Sequence, residues 1–292
     1  MSHNKTVSLV LGGGGARGLA HIGVLHWLDE HDFQIDTISG SSMGALIGGI
    51  YAAGKLDIYT NWVRALKKHD IIRLLDFAYS RTGLFSGDRI MQVLKDLLGD
   101  VKIEDLPLSF TAIASDLESE KEVWFNKGSL FDAIRASISI PTVFTPVKYK
   151  GRLLVDGGLL NPIPIAPTMM DMTDLTIAVN LSGKSEDLVF TKQESEQPEQ
   201  VESNYFSGIK MFIDNLQEKL NGEEEKETDI FDILTRSIES MQNSIARFKL
   251  ASYHPDYIID IPENACALFD FHRADQMIAL GYERAAQTLG NA

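Results

Sequence analysis

The spacing of hydrophobic positions along this chain changes repeatedly, and the changes predict alternating strands and helices. Residues 7–11 (VSLVL) form a short apolar run that four glycines interrupt, a pattern typical of a strand buried on both faces. Beyond the glycines, apolar residues recur at helical spacing, at Leu19, Ile22, Leu25 and Leu28. Further strands are predicted at 37–39, 111–114, 153–155 and 176–181, and helical patterns such as 89–98 lie between them. This alternation predicts an α/β fold with a mainly parallel sheet.

A segment rich in Glu, Gln and Ser, residues 184–204, interrupts the alternation and is typical of a disordered or mobile loop. Two amphipathic helices are predicted after it, at 205–220 and 230–248. A strand-like stretch and a final helix follow, at 256–262 and 274–288. We therefore interpret residues 1–292 as a single domain with an acidic, mobile insertion at about 184–228.

Composition narrows the classes of function. The formal net charge of −14 argues against a nucleic-acid partner and against electrostatic attachment to anionic lipid. Cys266 is the only cysteine and cannot form an internal disulfide, which favours a reducing compartment. The longest apolar run, residues 45–54, is about half of a membrane span, and the N-terminal apolar stretch is too short for a signal peptide. We expect a cytoplasmic protein whose membrane contact, if any, is peripheral and at the inner membrane surface.

The first candidate for chemistry is the pentapeptide Gly40-Ser41-Ser42-Met43-Gly44, a G-x-S-x-G sequence. A predicted strand precedes it and a helix-compatible segment follows, which is the setting that a nucleophile elbow requires. Ser42 is then the nucleophile. The alternative is a glycine-rich turn in which the serine caps a helix.

The glycine run at 12–18 admits two interpretations. Gly13-x-Gly15-x-x-Gly18 after a strand fits a dinucleotide-binding fingerprint, which also expects an acidic residue at the end of the next strand. The next strand ends instead in Ser39-Gly40-Ser41, and Asp36 lies at its start.

The second interpretation of the run is an oxyanion hole, because N–H groups exposed at a glycine turn stabilise negative charge on a substrate oxygen. Gly14 and Gly15, together with the amide of Met43, are the candidate donors. Arg17 would fix the loop or add positive potential; the alternative is that it forms only a solvent-facing or structural ion pair.

A serine nucleophile needs a base, and Asp156 is the main candidate. It follows the predicted strand at 152–155 and precedes Gly157 and Gly158, so it lies at the strand end where open α/β sheets place their sites. Partial burial beside an apolar pocket would raise its pKa. A plain Asp-Gly turn is the alternative role for this residue. His254, in a loop late in the chain, is the rival base and would make the pair a triad.

Taken together, GGGARG, GSSMG and DGG, in this order and each after a strand, resemble the patatin-like phospholipase family. The similarity is closest to its bacterial members related to neuropathy target esterase. GLFSG at 83–87, Ala136-Ser137 and Asn161-Pro162 resemble the same family. The resemblance covers roughly residues 5–182 and 256–288.

The resemblance implies a three-layer fold in which Ser42 is the nucleophile, Asp156 the base, and the loop Gly13–Gly18 the oxyanion hole. The implied reaction is hydrolysis of an acyl ester of a phospholipid or lysophospholipid through an acyl-enzyme, without metal or cofactor. The glycines that shape the three motifs are Gly18, Gly40, Gly44, Gly157 and Gly158.

Other functions stay open. A transacylase or thioesterase would use the same dyad, and a nucleotide-binding protein or a catalytically silent interaction protein would use the same scaffold. Residues 71–79 are unusually apolar; they border an acyl-chain entrance or a lipid surface, or they pack as a buried helix.

Overall fold

The computed structural model describes residues 5–74, 83–188 and 230–290. The strands in these ranges are β1 (Thr6–Leu11), β2 (Gln34–Ser41), β3 (Gly83–Phe85), β4 (Ser109–Asp116), β5 (Lys121–Phe125), β6 (Thr142–Phe144), β7 (Val147–Tyr149), β8 (Arg152–Asp156), β9 (Leu175–Gly183) and β10 (Tyr257–Pro262). The α-helices are α1 (Ala20–Glu30), α2 (Met43–Ala52), α3 (Leu56–Arg64), α4 (Lys68–Leu74), α5 (Asp88–Leu98), α6 (Leu130–Ser137), α7 (Ile230–Tyr253) and α8 (Ala274–Leu289).

The central sheet has eight strands in the described part of the chain. Its parallel portion runs in the order β10-β9-β1-β2-β4, and β8 and β7 continue it in antiparallel fashion. A second, two-stranded parallel sheet joins β3 and β6. The predicted α/β fold with a mostly parallel sheet is therefore confirmed, with an antiparallel extension that the hydrophobic pattern did not predict.

Two strands share one edge of β4. β5 pairs along the opposite edge, so β2 and β8 occupy the remaining one, β2 in parallel and β8 in antiparallel orientation. Ser41 at the end of β2 pairs with Ile113, and Asp156 at the end of β8 pairs with Ala114. The carboxyl ends of β2 and β8 therefore meet at the middle of this edge.

Helices cover both faces of the sheet, which confirms the three layers. Successive side chains of a strand point to opposite faces. Val10 packs in a buried cluster with Ala178 and with Ala246 of α7. Its neighbour Leu11 points towards α2, since its Cδ1 lies 3.1 Å from the place that a Cβ would take at Gly48.

The chain divides into two compact units, residues 1–188 with 238–292 and residues 189–237. Of the second unit the structure describes residues 230–237, which are helical and form the first turns of α7. The predicted acidic insertion, beyond residue 188, and the predicted helix at 205–220 lie outside the described residues. Within the described ranges, no helix is long and apolar enough to cross a membrane.

Candidate active site

Ser42 lies in the sharp turn between β2 and α2. Its φ of 53° and ψ of −121° are strained for a residue with a side chain. The N–H groups of Ala45 and Leu46 donate to its carbonyl at 3.0 and 3.1 Å, so the first turn of α2 holds the strained conformation. This strand–turn–helix geometry is that of a nucleophile elbow.

The flanking glycines are required by close packing of the backbone. A Cβ on Gly40 would lie 2.4 Å from the carbonyl oxygen of Gly44, and one on Gly44 would lie 2.0 Å from that of Leu11. Neither distance tolerates a side chain, because the neighbouring atoms belong to the backbone. Gly40 is thus required by a contact within the elbow, and Gly44 by the contact between the elbow and β1.

Ser137 anchors the elbow, although no role for it was predicted from the sequence. The N–H of Ser42 donates to Ser137 Oγ at 2.9 Å, and that hydroxyl donates to the carbonyl of Ile113 at 2.5 Å. Ser137 is fully buried at the end of α6. It therefore ties the backbone of Ser42 to β4, the strand that also pairs with Asp156. The only signal in the sequence was its place in the Ala136-Ser137 pair.

Asp156 is buried at the end of β8, beside Ser42. Its Oδ1 accepts a hydrogen bond from the N–H of Gly158 at 2.7 Å. Burial raises the pKa of this carboxyl to about 7, although the hydroxyl of Ser42 and the amide of Gly158 act to lower it. Oδ2 is buried without a hydrogen bond of standard geometry in the described structure. Hydrogen bonds between a nucleophile and its base are often long in active sites before substrate binds.

The glycine loop lies next to the elbow. A Cβ on Gly13 would be 3.1 Å from Ser42 Cβ. The N–H of Gly13 donates to the carbonyl of Pro162 at 2.9 Å, so it is already engaged. The N–H groups of Gly14 and Gly15 have no backbone acceptor among the described residues. Met43 is the first residue of α2, and the N–H groups in the first turn of a helix have no acceptor within that helix.

Arg17 fixes the loop to segments near the end of the chain. It is 9% exposed, and it donates from Nη1 to the carbonyl of Glu263 at 2.9 Å. Its Nη2 lies 3.6 Å from a carboxylate oxygen of Glu239 on α7. Gly18 brings the end of the loop against the elbow, because a Cβ there would lie 2.4 Å from Met43 Cβ.

An apolar cavity of about 100 Å³ opens beside Ser42. Its wall includes Met43 and Leu46 of α2 and Val63 of α3. The remaining lining is also mainly aliphatic or aromatic, as with Leu94, Ile138, Phe144, Leu268 and Phe271. The lining has the chemistry of a site for a hydrocarbon chain.

The apolar segment at 71–79 contributes to this cavity. Ile71 and Leu74 line it, in agreement with the hypothesis that the segment borders an acyl-chain site. Residues 75–79 lie outside the described residues.

The rival assignments are separated from the site by topology. His254 follows α7 and precedes β10, so it lies at the amino edge of the parallel strands, whereas Ser42 lies at their carboxyl edge. Asp36 lies near the start of β2, away from the glycine loop, and accepts a hydrogen bond from the Gln34 side chain at 2.8 Å. In the described ranges, no group of three or more His, Cys, Asp or Glu side chains is arranged to hold a metal ion.

The sequence and the structure of this chain are similar to those of known proteins. The family model for patatin-like phospholipases matches residues 9–169. An uncharacterized NTE family protein of Mycobacterium bovis is 36% identical over 332 residues, an alignment that covers 99% of this chain and 92% of the relative. Neuropathy target esterase sws of Drosophila virilis is 36% identical over 168 residues, 55% of this chain and 11% of the fly protein.

Among solved structures, VipD from Legionella pneumophila superposes with a TM-score of 0.56 at 15% identity. The match covers 97% of this chain, and the chain spans 66% of the length of VipD. At this identity the similarity shows the fold alone.

Proposed function

The chain belongs to the patatin-like phospholipase family, and we propose that it hydrolyses the acyl ester of a phospholipid or lysophospholipid through a dyad of Ser42 and Asp156. Membership of this family implies esterase activity. The observation that supports the dyad most directly is the strained serine elbow beside a buried carboxylate whose pKa burial raises to about 7. A carboxylate with that pKa is a competent base near neutral pH, whereas an ordinary one is weak.

In the proposed reaction, Ser42 Oγ attacks the acyl carbonyl carbon while Asp156 accepts the hydroxyl proton. The N–H groups of Gly14, Gly15 and Met43 stabilise the negative charge that develops on the carbonyl oxygen. Asp156 then gives the proton to the oxygen of the leaving alcohol as the ester bond breaks. Water, deprotonated by Asp156, then attacks the acyl-enzyme, and Asp156 returns that proton to Ser42 Oγ as the acyl–oxygen bond breaks and the acid leaves.

The apolar cavity favours the binding of a lipid substrate over that of a small water-soluble ester. Its lining begins at Ser42 and Met43 and continues through aliphatic and aromatic side chains. Each buried methylene of an acyl chain contributes about 0.8 kcal/mol, so a chain of several carbons gains much more binding free energy than an acetyl group.

We place this reaction in the cytoplasm, with peripheral contact at the inner membrane surface. The net charge of −14 opposes electrostatic adhesion to anionic lipid, so we expect apolar contact to dominate any encounter with a membrane.

The dyad is tested by labelling with a fluorophosphonate probe and by hydrolysis of lysophospholipid. We expect Ser42→Ala to abolish labelling, and Asp156→Asn to slow labelling and hydrolysis at least about 10³-fold. Ser41→Ala is the matched control, since it removes a neighbouring buried hydroxyl that has no part in the proposed reaction. We expect both activities of this variant to stay near the wild-type level.

Labelling that survives Ser42→Ala would exclude Ser42 as the nucleophile. If His254→Ala lost hydrolysis while its fold stayed intact, His254 would be part of the catalytic group, which would then be a triad and not a dyad. Including an acceptor alcohol in the assay separates hydrolysis from acyl transfer, because a transacylase would form a new ester in place of free acid.

A further inference from the structure

His21, on the first turn of α1, is a buried polar side chain that the proposed mechanism does not use. It is 0% exposed, and its Nε2 lies 2.8 Å from the carbonyl oxygen of Gly12. A carbonyl only accepts, so Nε2 carries the proton in this contact. Nδ1 is buried with no hydrogen-bond partner in the described part of the chain. An apolar side chain here would avoid the unpaired Nδ1 but would leave the Gly12 carbonyl without this donor, so the histidine is explained by the hydrogen bond that it gives to Gly12.

The contact falls on the peptide group that begins the glycine loop. The Gly12–Gly13 peptide has its oxygen bound by His21 and its N–H bound by the carbonyl of Pro162 at 2.9 Å. The preceding N–H, that of Gly12, donates to the carbonyl of Val179 at 3.0 Å. Both polar atoms of this peptide are therefore held, so the peptide plane cannot rotate without breaking a hydrogen bond. The next two N–H groups, of Gly14 and Gly15, have no backbone acceptor among the described residues.

We propose that His21 is a positioning residue of the oxyanion hole: its Nε2–H holds the Gly12 carbonyl so that the following amides of the glycine loop point towards the substrate oxygen. This inference rests on the proposed function of the loop. A run of four glycines has little conformational preference of its own, so external contacts must fix the direction of its N–H groups. Pro162 holds one end of the Gly12–Gly13 peptide, and His21 holds the other.

Burial keeps the His21 ring neutral. Desolvation lowers the pKa of His21 to about 4, and the hydrogen bond to Gly12 offsets only part of that effect. The ring is thus neutral throughout the range in which Asp156 is active, and its single proton stays on Nε2. Because the charged ring would also donate from Nε2, we infer a fixed support and not a pH switch.

Three variants separate positioning from packing. In His21→Gln the side-chain amide nitrogen takes the place of Nε2, in His21→Asn it falls near the place of Nδ1, and in His21→Leu there is no donor. We expect the glutamine variant to keep kcat within about 3-fold of wild type, and the other two to lose about 10- to 100-fold in kcat with KM nearly unchanged, since misplacement of a catalytic group by about 1 Å has this order of effect.

His26→Leu is the matched control. His26 lies on the same helix, and its Nε2 is 3.8 Å from a carboxylate oxygen of the exposed Asp57. We expect wild-type kcat from it. Thermal unfolding of each variant shows whether the fold is retained, and nitrogen-15 spectra of the wild type should show a neutral, Nε2-protonated imidazole for His21.

The inference is overturned if His21→Leu keeps wild-type kcat, if glutamine is as slow as asparagine, or if the spectra show the Nδ1-protonated tautomer. The comparison of glutamine with asparagine decides the matter even if His21→Leu fails to fold. Labelling of Ser42 in the wild type distinguishes failure of the positioning role from failure of the proposed function. If Ser42 is labelled and the His21 variants behave as wild type, only the positioning role fails; if Ser42 is never labelled, the proposed function fails and the inference with it.

Discussion

Ser41 and Asp156 occupy successive register positions along one edge of β4, opposite Ile113 and Ala114. β2 reaches this point as a parallel strand, and β8 reaches it from the other direction as an antiparallel strand. The residue after Ser41 is therefore brought to Asp156 by the ends of two strands, and no long loop is needed. This explains how a serine and a carboxylate far apart in sequence form a compact pair.

The first prediction concerns the pH dependence of catalysis. Asp156 must be ionised to accept the proton, and burial raises its pKa to about 7. We expect kcat/KM to rise tenfold per pH unit below this value and to level off above it. An ordinary carboxyl would already be ionised near pH 5. The measurement is hydrolysis of a non-titrating ester from pH 5 to 9, with circular dichroism to verify the fold; a rate that is level from pH 5 upwards would contradict the assignment.

The second prediction concerns stability. The pKa of Asp156 is raised on folding from an ordinary 3.8 to about 7, so the folded state keeps a proton that the unfolded state loses in this range. The free energy of unfolding should therefore fall as pH rises from about 4 to 7, by up to about 4 kcal/mol for a shift of this size. Asp156→Asn removes this term, so we expect the variant to be more stable than wild type at pH 8.

Urea denaturation of wild type and Asp156→Asn at pH 5 and 8 measures this difference. Ser42→Ala is the control, because it retains the buried carboxyl and should retain the fall in stability with pH. An asparagine variant that is equally stable or less stable than wild type at pH 8 would show that the carboxylate is not costly to bury.

Much of the site is predictable because strand ends and glycine spacing carry its geometry. Ser42 and Asp156 each follow an apolar strand, and Gly40 and Gly44 are required by backbone contacts, so local sequence is informative. The parallel sheet follows from the alternation of elements. The antiparallel approach of β8 does not, because β7 and β8 are too short for a periodic pattern and their orientation depends on pairing with β4.

Residues that act through the backbone of another segment were not predictable in this way. Ser137 and His21 each bind a main-chain atom of a different element, at Ser42 and at Gly12. A buried serine or histidine on a helix is ordinary in sequence, and only the three-dimensional contact reveals its partner. The cavity was predicted only where residues 71–79 border it, since α2, α3 and α5 also contribute to its lining.

The third prediction concerns acyl-chain preference. Val63 of α3 is 1% exposed and lines the cavity, so Val63→Phe places a ring in the space proposed for the acyl chain. We expect the ratio of kcat/KM for a dodecanoyl ester to that for an acetyl ester to fall about 10-fold or more, as small changes in an apolar pocket typically do. Ile58→Phe is the control, because Ile58 lies on the same helix but is 43% exposed. An unchanged ratio in Val63→Phe would place the acyl chain elsewhere.

The last prediction concerns the contact between α1 and α8, which lies next to His21. A Cβ on Gly281 would lie 1.9 Å from the carbonyl oxygen of Ala20, and a Cβ on Gly23 would lie 1.9 Å from that of Ile278. Two effects of Gly281→Ala oppose each other. Alanine favours a helix by about 1 kcal/mol over glycine, but overpacking against rigid backbone costs about 1–3 kcal/mol, or more when helices must separate. At 1.9 Å we expect the clash to dominate, so that the free energy of unfolding measured by urea denaturation falls by about 2 kcal/mol.

The control is Gln287→Ala, on the exposed face of α8, which should change the free energy of unfolding by no more than about 0.5 kcal/mol. If Gly281→Ala were as stable as wild type, α1 and α8 would have to be able to separate at little cost, and Ala20, next to His21, would not be held by this contact.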